Sequence, residues 1–251
     1  MIHALSAEGR TRIAAFLARQ PLITFDIDGT LAPIVTRPED ARIPASLQEA
    51  LARLAARTPV ALLTGRARSD ALRMVSFTPA FVLGNHGIEG LPGAEGRTAA
   101  LARTCAGWLA ALDARALEAA GVAIEDKRYS LSLHYRHARD HEAARGEIEA
   151  QCAALTPAPA LIGGKCVVNV LPPGAPNKGS ALRELIAQLP SGCALYAGDD
   201  DTDEHVFDLP RELVLGVRVG ASATSQAALL IDEPAQMLPL VEFLNESLTA
   251  R

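Results

Sequence analysis

Three short, almost wholly apolar runs each end in a polar cluster, and this repetition constrains the fold of the chain more than any other feature. Leu22-Ile23-Thr24-Phe25 leads into Asp26-Ile27-Asp28-Gly29-Thr30, Pro59-Val60-Ala61-Leu62-Leu63 into Thr64-Gly65-Arg66, and Cys193-Ala194-Leu195-Tyr196-Ala197-Gly198 into Asp199-Asp200-Asp201-Thr202-Asp203-Glu204. Near-continuous apolar strands separated by helical patterns belong to a parallel sheet covered by helices on both faces. Ligands of such sheets bind beyond the carboxyl ends of the strands, so the three clusters are expected to converge on one edge.

Asp26 and Asp28 lie two residues apart at the end of the first run. Alternate strand residues face the same way, so both carboxylates project together before Gly29 turns the chain. Two unit charges about 4 Å apart repel by roughly 4 kcal/mol at an effective dielectric of 20. The pair therefore needs a cation or a shared proton, and Mg2+, which takes oxygen ligands in octahedral geometry, meets that need. Standing alone, the segment would read better as turn-forming aspartates on a solvated loop.

A fourth cluster, Asn177-Lys178-Gly179-Ser180, places a lysine where a helix patterned by Leu182, Leu185, Ile186 and Leu189 begins. A helix amino terminus attracts phosphate, and an ammonium there adds a point charge.

Composition narrows the function. With 251 residues, 49% of them hydrophobic, the chain can bury one large or two modest domains. The net charge of −5 gives no general attraction to nucleic acid or to an anionic membrane surface. Cys105, Cys152, Cys166 and Cys193 lack CxxC spacing and scaffold density, which suits reduced thiols of a cytoplasmic protein. No amino-terminal leader pattern is visible, and apolar runs fall far short of the roughly 20 residues of a membrane helix.

Along the chain, helices are expected over 6–19, through Leu47, Leu51 and Leu54, and from about Ser69, with strands at 22–25, 59–63 and 81–83. Leu91-Pro92-Gly93-Ala94-Glu95-Gly96 and Pro172-Pro173-Gly174-Ala175-Pro176 read as an outward and a return crossing. Between them the pattern is helix (Leu101 to Leu112), strands at 122–126 and 129–136, helix (Ala144 to Cys152), and strands at 160–162 and 166–171. This αββαββ segment reads as a small open sheet with two helices on one face, inserted into the core as a cap. The expected division is a core of residues 1–91 and 174–251 and a cap of residues 92–173. Strands 193–197 and 213–219 and a last helix through Leu238, Val241 and Leu244 complete the core.

Asp-x-Asp-Gly-Thr, Thr-Gly-Arg, Lys178 and Gly-Asp-Asp-x-x-Asp, in this order and at these strand ends, resemble the four motifs of the haloacid dehalogenase superfamily of phosphohydrolases. Within it the chain resembles the trehalose-6-phosphate phosphatases. The narrower match rests on Gly84-Asn85-His86-Gly87-Ile88-Glu89, on Glu125-Asp126-Lys127 through His134-Tyr135-Arg136, on Gly163-Gly164-Lys165 and on Gly198 through Glu204, and it spans roughly residues 20–246. The resemblance implies a Rossmann-like core with a C2-type cap and a Mg2+-dependent phosphatase acting on a small sugar phosphate. Asp26 would be the nucleophile that forms an aspartyl phosphate, and Asp28 the general acid and base. Thr64, with Gly29, Gly65 and Arg66, would hold the phosphate, although Arg66 reads equally as a structural ion-pair residue, and Lys178 would neutralise charge on nucleophile and phosphate. The family match gives the Mg2+ ligands as Asp26, the Asp28 carbonyl and Asp199, with Asp200 and Asp203 holding water or orienting Lys178.

In that family the polar side of the cap sheet holds the sugar, so Lys127, His134, Arg136, Lys165 and Asn169 are the expected sugar contacts. The departure is Asn169, where related sequences usually carry glutamate, with Leu171 where they carry a basic residue. An amide offers one neutral acceptor and two donors instead of a charged acceptor, and Glu125 is a neighbouring group able to compensate. Other glycosyl phosphates, such as sucrose 6-phosphate and glucosylglycerol phosphate, stay open as substrates. A sugar phosphomutase and a non-catalytic sugar-phosphate sensor are the rival functions. No nucleic-acid or membrane partner is expected, and the sequence leaves the oligomeric state open, a monomer being consistent with it. His134, His137 and His141 do not form a transition-metal pattern, since the first falls on a strand and the last on the next helix.

Overall fold

The computed structural model describes residues 1–35, 37–164 and 166–249. The chain divides into two compact units, Met1–Pro92 with the segment from Pro176 on, and Gly93–Ala175.

The first unit opens with β1 (Ile2–His3), α1 (Ala7–Leu17) and β2 (Leu22–Phe25), followed by α2 (Ala45–Ala55), β3 (Val60–Leu63), α3 (Arg68–Met74) and β4 (Phe81–Leu83). Ser6 caps α1 by accepting from the Gly9 amide at 3.1 Å, which satisfies one of the free amides of the first turn. On α2 the buried Leu47, Ala50, Leu51 and Leu54 form the stripe that the spacing predicts.

The second unit contains α4 (Glu95–Ala111), α5 (Ala114–Ala119), β5 (Ala123–Asp126), β6 (Leu131–His134), α6 (His141–Ala153), β7 (Ala160–Gly164) and β8 (Val167–Leu171). Its strands form an antiparallel sheet in the order β5-β6-β8-β7. Leu131, Leu133, Val168 and Val170 on one face join Trp108, Leu117, Ile148 and Cys152 in a core of their own. The indole N–H of Trp108, buried in this core, donates to the Pro157 carbonyl at 3.1 Å. Register puts Glu125 opposite Ser132 and Ser132 opposite Asn169, on the face that the apolar residues leave.

Two expectations for this segment need correction. The order is ααββαββ, because α5 follows α4 directly. Asp113 caps α5 by accepting from the Arg115 and Ala116 amides, and Leu117 is its only buried residue, so the helix is too short to show an apolar period. The strand expected at 129–136 is also shorter. Arg128 has a positive φ of 71°, and the Ala138 amide turns back to the Tyr135 carbonyl at 3.1 Å, which leaves Arg136 beyond the end of β6.

The chain returns to the first unit with α7 (Lys178–Ile186), β9 (Ala194–Gly198), α8 (Asp201–Phe207), β10 (Val214–Val219), β11 (Leu229–Ile231) and α9 (Met237–Thr249). All seven strands of this unit run parallel in the order β1-β11-β10-β9-β2-β3-β4. β2, β3, β9 and β10 are buried along their whole length, as strands covered on both faces must be. The order reverses between β2 and β9, so the loops after these two neighbours diverge and leave a crevice at their carboxyl ends. β1, β11 and α8 were not expected from sequence. The two strands are only two and three residues long, and α8 begins inside the acidic run, which shows no apolar period.

Candidate active site

Asp26 follows the last residue of β2, and its amide donates to the Ala197 carbonyl of β9 at 2.9 Å, which ties it to the crevice. The side chain is almost fully buried. Burial, with the Asp203 and Asp199 charges, pushes its carboxyl above the usual carboxylate range, while Lys178 and the Ile27 amide pull it down.

Lys178 is the first residue of α7 and is 2% exposed. Asn177 and Ser180 fix the helix start through a reciprocal capping box, in which the Ser180 amide donates to Asn177 Oδ1 at 2.8 Å and the Asn177 amide to Ser180 Oγ at 3.0 Å. From there the ammonium reaches Asp26 Oδ2 at 3.2 Å and Asp203 Oδ1 at 2.7 Å. Burial works against the charged amine, but the two carboxylates outweigh it and raise its pKa above the ordinary lysine value. Gly179 makes this reach possible. A Cβ there would lie 1.9 Å from the His205 carbonyl oxygen, so only glycine lets α7 lie this close to α8.

Asp203, on α8, is fully buried and accepts at both oxygens. Oδ2 takes the amides of Asp199 and Asp200, each at 2.9 Å, and Oδ1 takes Lys178 Nζ at 2.7 Å and the Tyr196 hydroxyl at 2.5 Å. Burial, then the Asp203 and Asp26 charges, hold the Tyr196 phenol well above its ordinary pKa, so it stays a donor. The Asp200 carboxylate accepts from the Asp201 amide at 2.6 Å and caps α8, where an anion also suits the helix dipole.

Asp199 accepts from Thr30 Oγ1 at 3.1 Å. Its carboxyl is pushed up to about 6, chiefly by burial and by the Asp203 charge. Gly29 has a φ of +78°, and a Cβ on it would fall 1.9 Å from Asp199 Oδ2, so the Asp-x-Asp-Gly turn is what leaves room for that carboxylate.

Asp28 lies at the rim of the crevice rather than inside the buried network. Its side chain is 42% exposed and is gripped by Arg66, with Nε to Oδ2 and a terminal guanidinium nitrogen to Oδ1, both at 2.6 Å. Thr64, 1% exposed at the end of β3, accepts from the Arg66 amide at 3.2 Å. The segment 84–89 buttresses this loop. The His86 amide donates to the Thr64 carbonyl at 2.9 Å and the Asn85 amide to the Arg66 carbonyl at 2.8 Å. The His86 ring fills the space beside Gly65, where a Cβ would sit 2.7 Å from it.

Asp26, Asp199 and Asp203 each offer a carboxylate oxygen within 4.8 Å of the others, and they are the only such cluster among the described residues. The donors are hard oxygens, and burial, reinforced by the neighbouring carboxylates, raises the pKa of Asp26 and Asp199. Both features fit a hard divalent cation. Asp203 already accepts from four donors, so Asp26 and Asp199 are the two carboxylates with lone pairs to give.

Of the residues expected from sequence, Asp26, Lys178, Asp199 and Asp203 come together in one network, with Gly29 against Asp199 and Gly65 beside Thr64 and Arg66. In the second unit His134 Nε2 lies 2.9 Å from Glu125 Oε2 and Lys127 Nζ 3.7 Å from the same oxygen. Ser132 Oγ donates to Asn169 Oδ1 at 2.7 Å. Lys165 lies outside the described residues. Sequence reasoning passed over Tyr196, which reads as one more apolar strand residue, and Arg218, which braces the Asp200 carbonyl at 3.1 Å and Glu204 at 2.7 Å from β10.

A seven-stranded parallel sheet with an acidic crevice at its switch point and a second α+β unit inserted after β4 has the haloacid dehalogenase fold. A haloacid dehalogenase-like hydrolase from Bacteroides thetaiotaomicron superposes with a TM-score of 0.60 over 89% of this chain and 99% of that one, at 16% identity. A model of the trehalose-phosphatase family matches residues 24–228, and the chain belongs to that family. It is 32% identical over 247 residues to the trehalose-phosphate phosphatase of Mycobacterium tuberculosis, covering 92% of this chain and 63% of that protein. The chain thus spans less than two thirds of the length of the curated relatives it matches. The structure of Aspergillus fumigatus trehalose-6-phosphate phosphatase superposes with a TM-score of 0.67 at 26% identity, covering 98% of this chain and 100% of that one. No helix among the described residues is long and apolar enough to cross a membrane.

Proposed function

We propose that the protein is a cytoplasmic, Mg2+-dependent phosphatase that hydrolyses trehalose 6-phosphate to trehalose and phosphate. The observation that carries this reading is the buried Lys178 ammonium shared between Asp26 and Asp203, with Asp199 beside them at the switch point of the sheet. Asp26 is a nucleophile held ready: its carboxylate attacks phosphorus, the bond from phosphorus to the sugar oxygen breaks, and the phosphoryl group passes to Asp26. Asp28 gives a proton to the departing sugar oxygen, then takes one from the water that cleaves the aspartyl phosphate. Thr64 donates to a phosphate oxygen, and Lys178 neutralises charge on Asp26 and the transferring group. Asp26, Asp199 and the Asp28 carbonyl would hold Mg2+, which supplies the positive charge that lets an anionic phosphate approach a carboxylate.

The Arg66 grip on Asp28 fits the same scheme. A substrate phosphate competes for the guanidinium, and a carboxylate released from it can take up the proton that it must donate. The unit Gly93–Ala175 acts as the cap that selects the sugar, with Lys127, His134, Arg136, Lys165 and Asn169 as its contacts. Support for trehalose 6-phosphate comes from the family match, and the polar face bearing Glu125, Ser132, His134 and Asn169 is suited to sugar hydroxyls.

Steady-state kcat/KM over trehalose 6-phosphate, sucrose 6-phosphate, glucosylglycerol phosphate, glucose 6-phosphate and mannose 6-phosphate tests the assignment. Trehalose 6-phosphate should lead. A preference of about tenfold or more for another member, which corresponds to about 1.4 kcal/mol, would overturn the sugar and make Asn169→Glu the first reversion to try.

A further inference from the structure

We propose that Tyr196 is a positioning residue of this site, whose hydroxyl holds Asp203 so that Lys178 remains shared with Asp26. The inference rests on the phosphatase reading above. Asp203 is fully enclosed and its carboxylate meets four donors, two backbone amides on Oδ2 and two side chains on Oδ1. The amides fix one oxygen, but the direction of the charge that Lys178 feels is set at the other. There the Tyr196 hydroxyl at 2.5 Å competes with the ammonium at 2.7 Å. With the hydroxyl present, Asp203 divides its attraction and the ammonium stays within 3.2 Å of Asp26. Without it, the full charge of Oδ1 falls on Lys178 in a low-dielectric setting, which draws the ammonium toward Asp203 and away from the nucleophile.

Tyr196 is suited to this task because it cannot easily move. The central strand β9 and complete burial fix it in place, and its ring merely lies at a tilt beside Phe207 with centroids 5.8 Å apart. Phenylalanine at this position keeps the ring and loses only the donor. The same hydroxyl completes the four donors of Asp203, and so reserves Asp26 and Asp199 as the carboxylates open to a cation.

The test compares Tyr196→Phe with Phe207→Leu, which perturbs the ring contact and leaves the hydroxyl. Kinetics on trehalose 6-phosphate and p-nitrophenyl phosphate are read beside Tm and the 1H–15N signal of the Lys178 ammonium. For Tyr196→Phe, kcat should fall about tenfold with KM within about twofold, and the Lys178 signal should shift or broaden. Phe207→Leu should lower Tm and leave kcat within about twofold. Equal kcat in wild type and Tyr196→Phe, or an unchanged Lys178 signal, would overturn the proposal. Should the wild type release no phosphate from either substrate, the phosphatase reading fails, and the ammonium signal still decides whether the hydroxyl positions Lys178.

Discussion

Arg66 grips Asp28 through two parallel 2.6 Å hydrogen bonds, from Nε and from a terminal guanidinium nitrogen. A guanidinium makes this fork and an ammonium does not, so Arg66→Lys should lower kcat/KM by about tenfold to a hundredfold, with a larger share in KM if the guanidinium passes to the substrate phosphate. Kinetics across a range of substrate concentrations separate the two. An unchanged kcat/KM would show that the pair does nothing for turnover.

Asp26→Asn keeps the volume and removes the attacking charge. Turnover should fall by at least about a thousandfold while the fold persists, since the neutral amide can still lie beside Lys178. Rapid-quench detection of a phosphorylated protein intermediate in the wild type, absent in the variant, is the accompanying measurement.

Chelation by EDTA should abolish turnover and added Mg2+ restore it. Because the cation offsets the repulsion between Asp26 and Asp199, Mg2+ should also raise Tm in the absence of substrate. Saturation at about 100 times Kd corresponds to about 2.7 kcal/mol. Asp199→Asn removes one of the two open carboxylates and should flatten the Mg2+ dependence of Tm. A metal-free enzyme that retains full activity would remove Mg2+ from the scheme.

Gly179→Ala would drive a Cβ to within 1.9 Å of the His205 backbone carbonyl, which has no rotamer to yield. The separation of α7 and α8 must then grow, at about 1–3 kcal/mol, and Lys178 moves with it. Denaturant unfolding measures the first effect and kcat the second. A variant as stable and as active as the wild type would mean that the helix contact is looser than described.

Burial pushes the Cys105 thiol up to about 11, so at pH 8 almost none of it is thiolate, and Cys152 and Cys193 are raised in the same direction chiefly by burial. Cys166 is the only one of the four that is not buried. Iodoacetamide on the native protein should therefore alkylate Cys166 first, with the others following only on unfolding, as peptide mass mapping over time will record. Early labelling of Cys105 would contradict the buried core of the second unit.

Much of the architecture could be read from residue order. The runs at 22–25 and 81–83 agree with β2 and β4, and those at 59–63 and 193–197 with β3 and β9 to within one residue, because mostly buried strands leave nearly continuous apolar words. Asp-x-Asp-Gly-Thr, Thr-Gly-Arg, Lys178 and the acidic run likewise announce their chemistry in sequence, since each needs a particular side chain at a strand or helix end. Short elements such as α5, β1 and β11 left too few residues to establish a period.

What only the tertiary structure decided is how the charges are shared. Asp203 looks like its neighbours Asp199, Asp200 and Asp201 in sequence. It alone turns into the core, where two amides, an ammonium and a phenol saturate it, while Asp200 turns out to cap α8. Asp28 pairs with Arg66, 38 positions away, and Tyr196 changes from a strand filler to a hydrogen-bond donor. Local pattern determines which backbone an apolar stretch adopts, because burial and periodicity act over a few residues. The partner of a buried carboxylate is chosen by desolvation and proximity across β2, β9, α7 and α8, and those neighbours exist only once the sheet has closed.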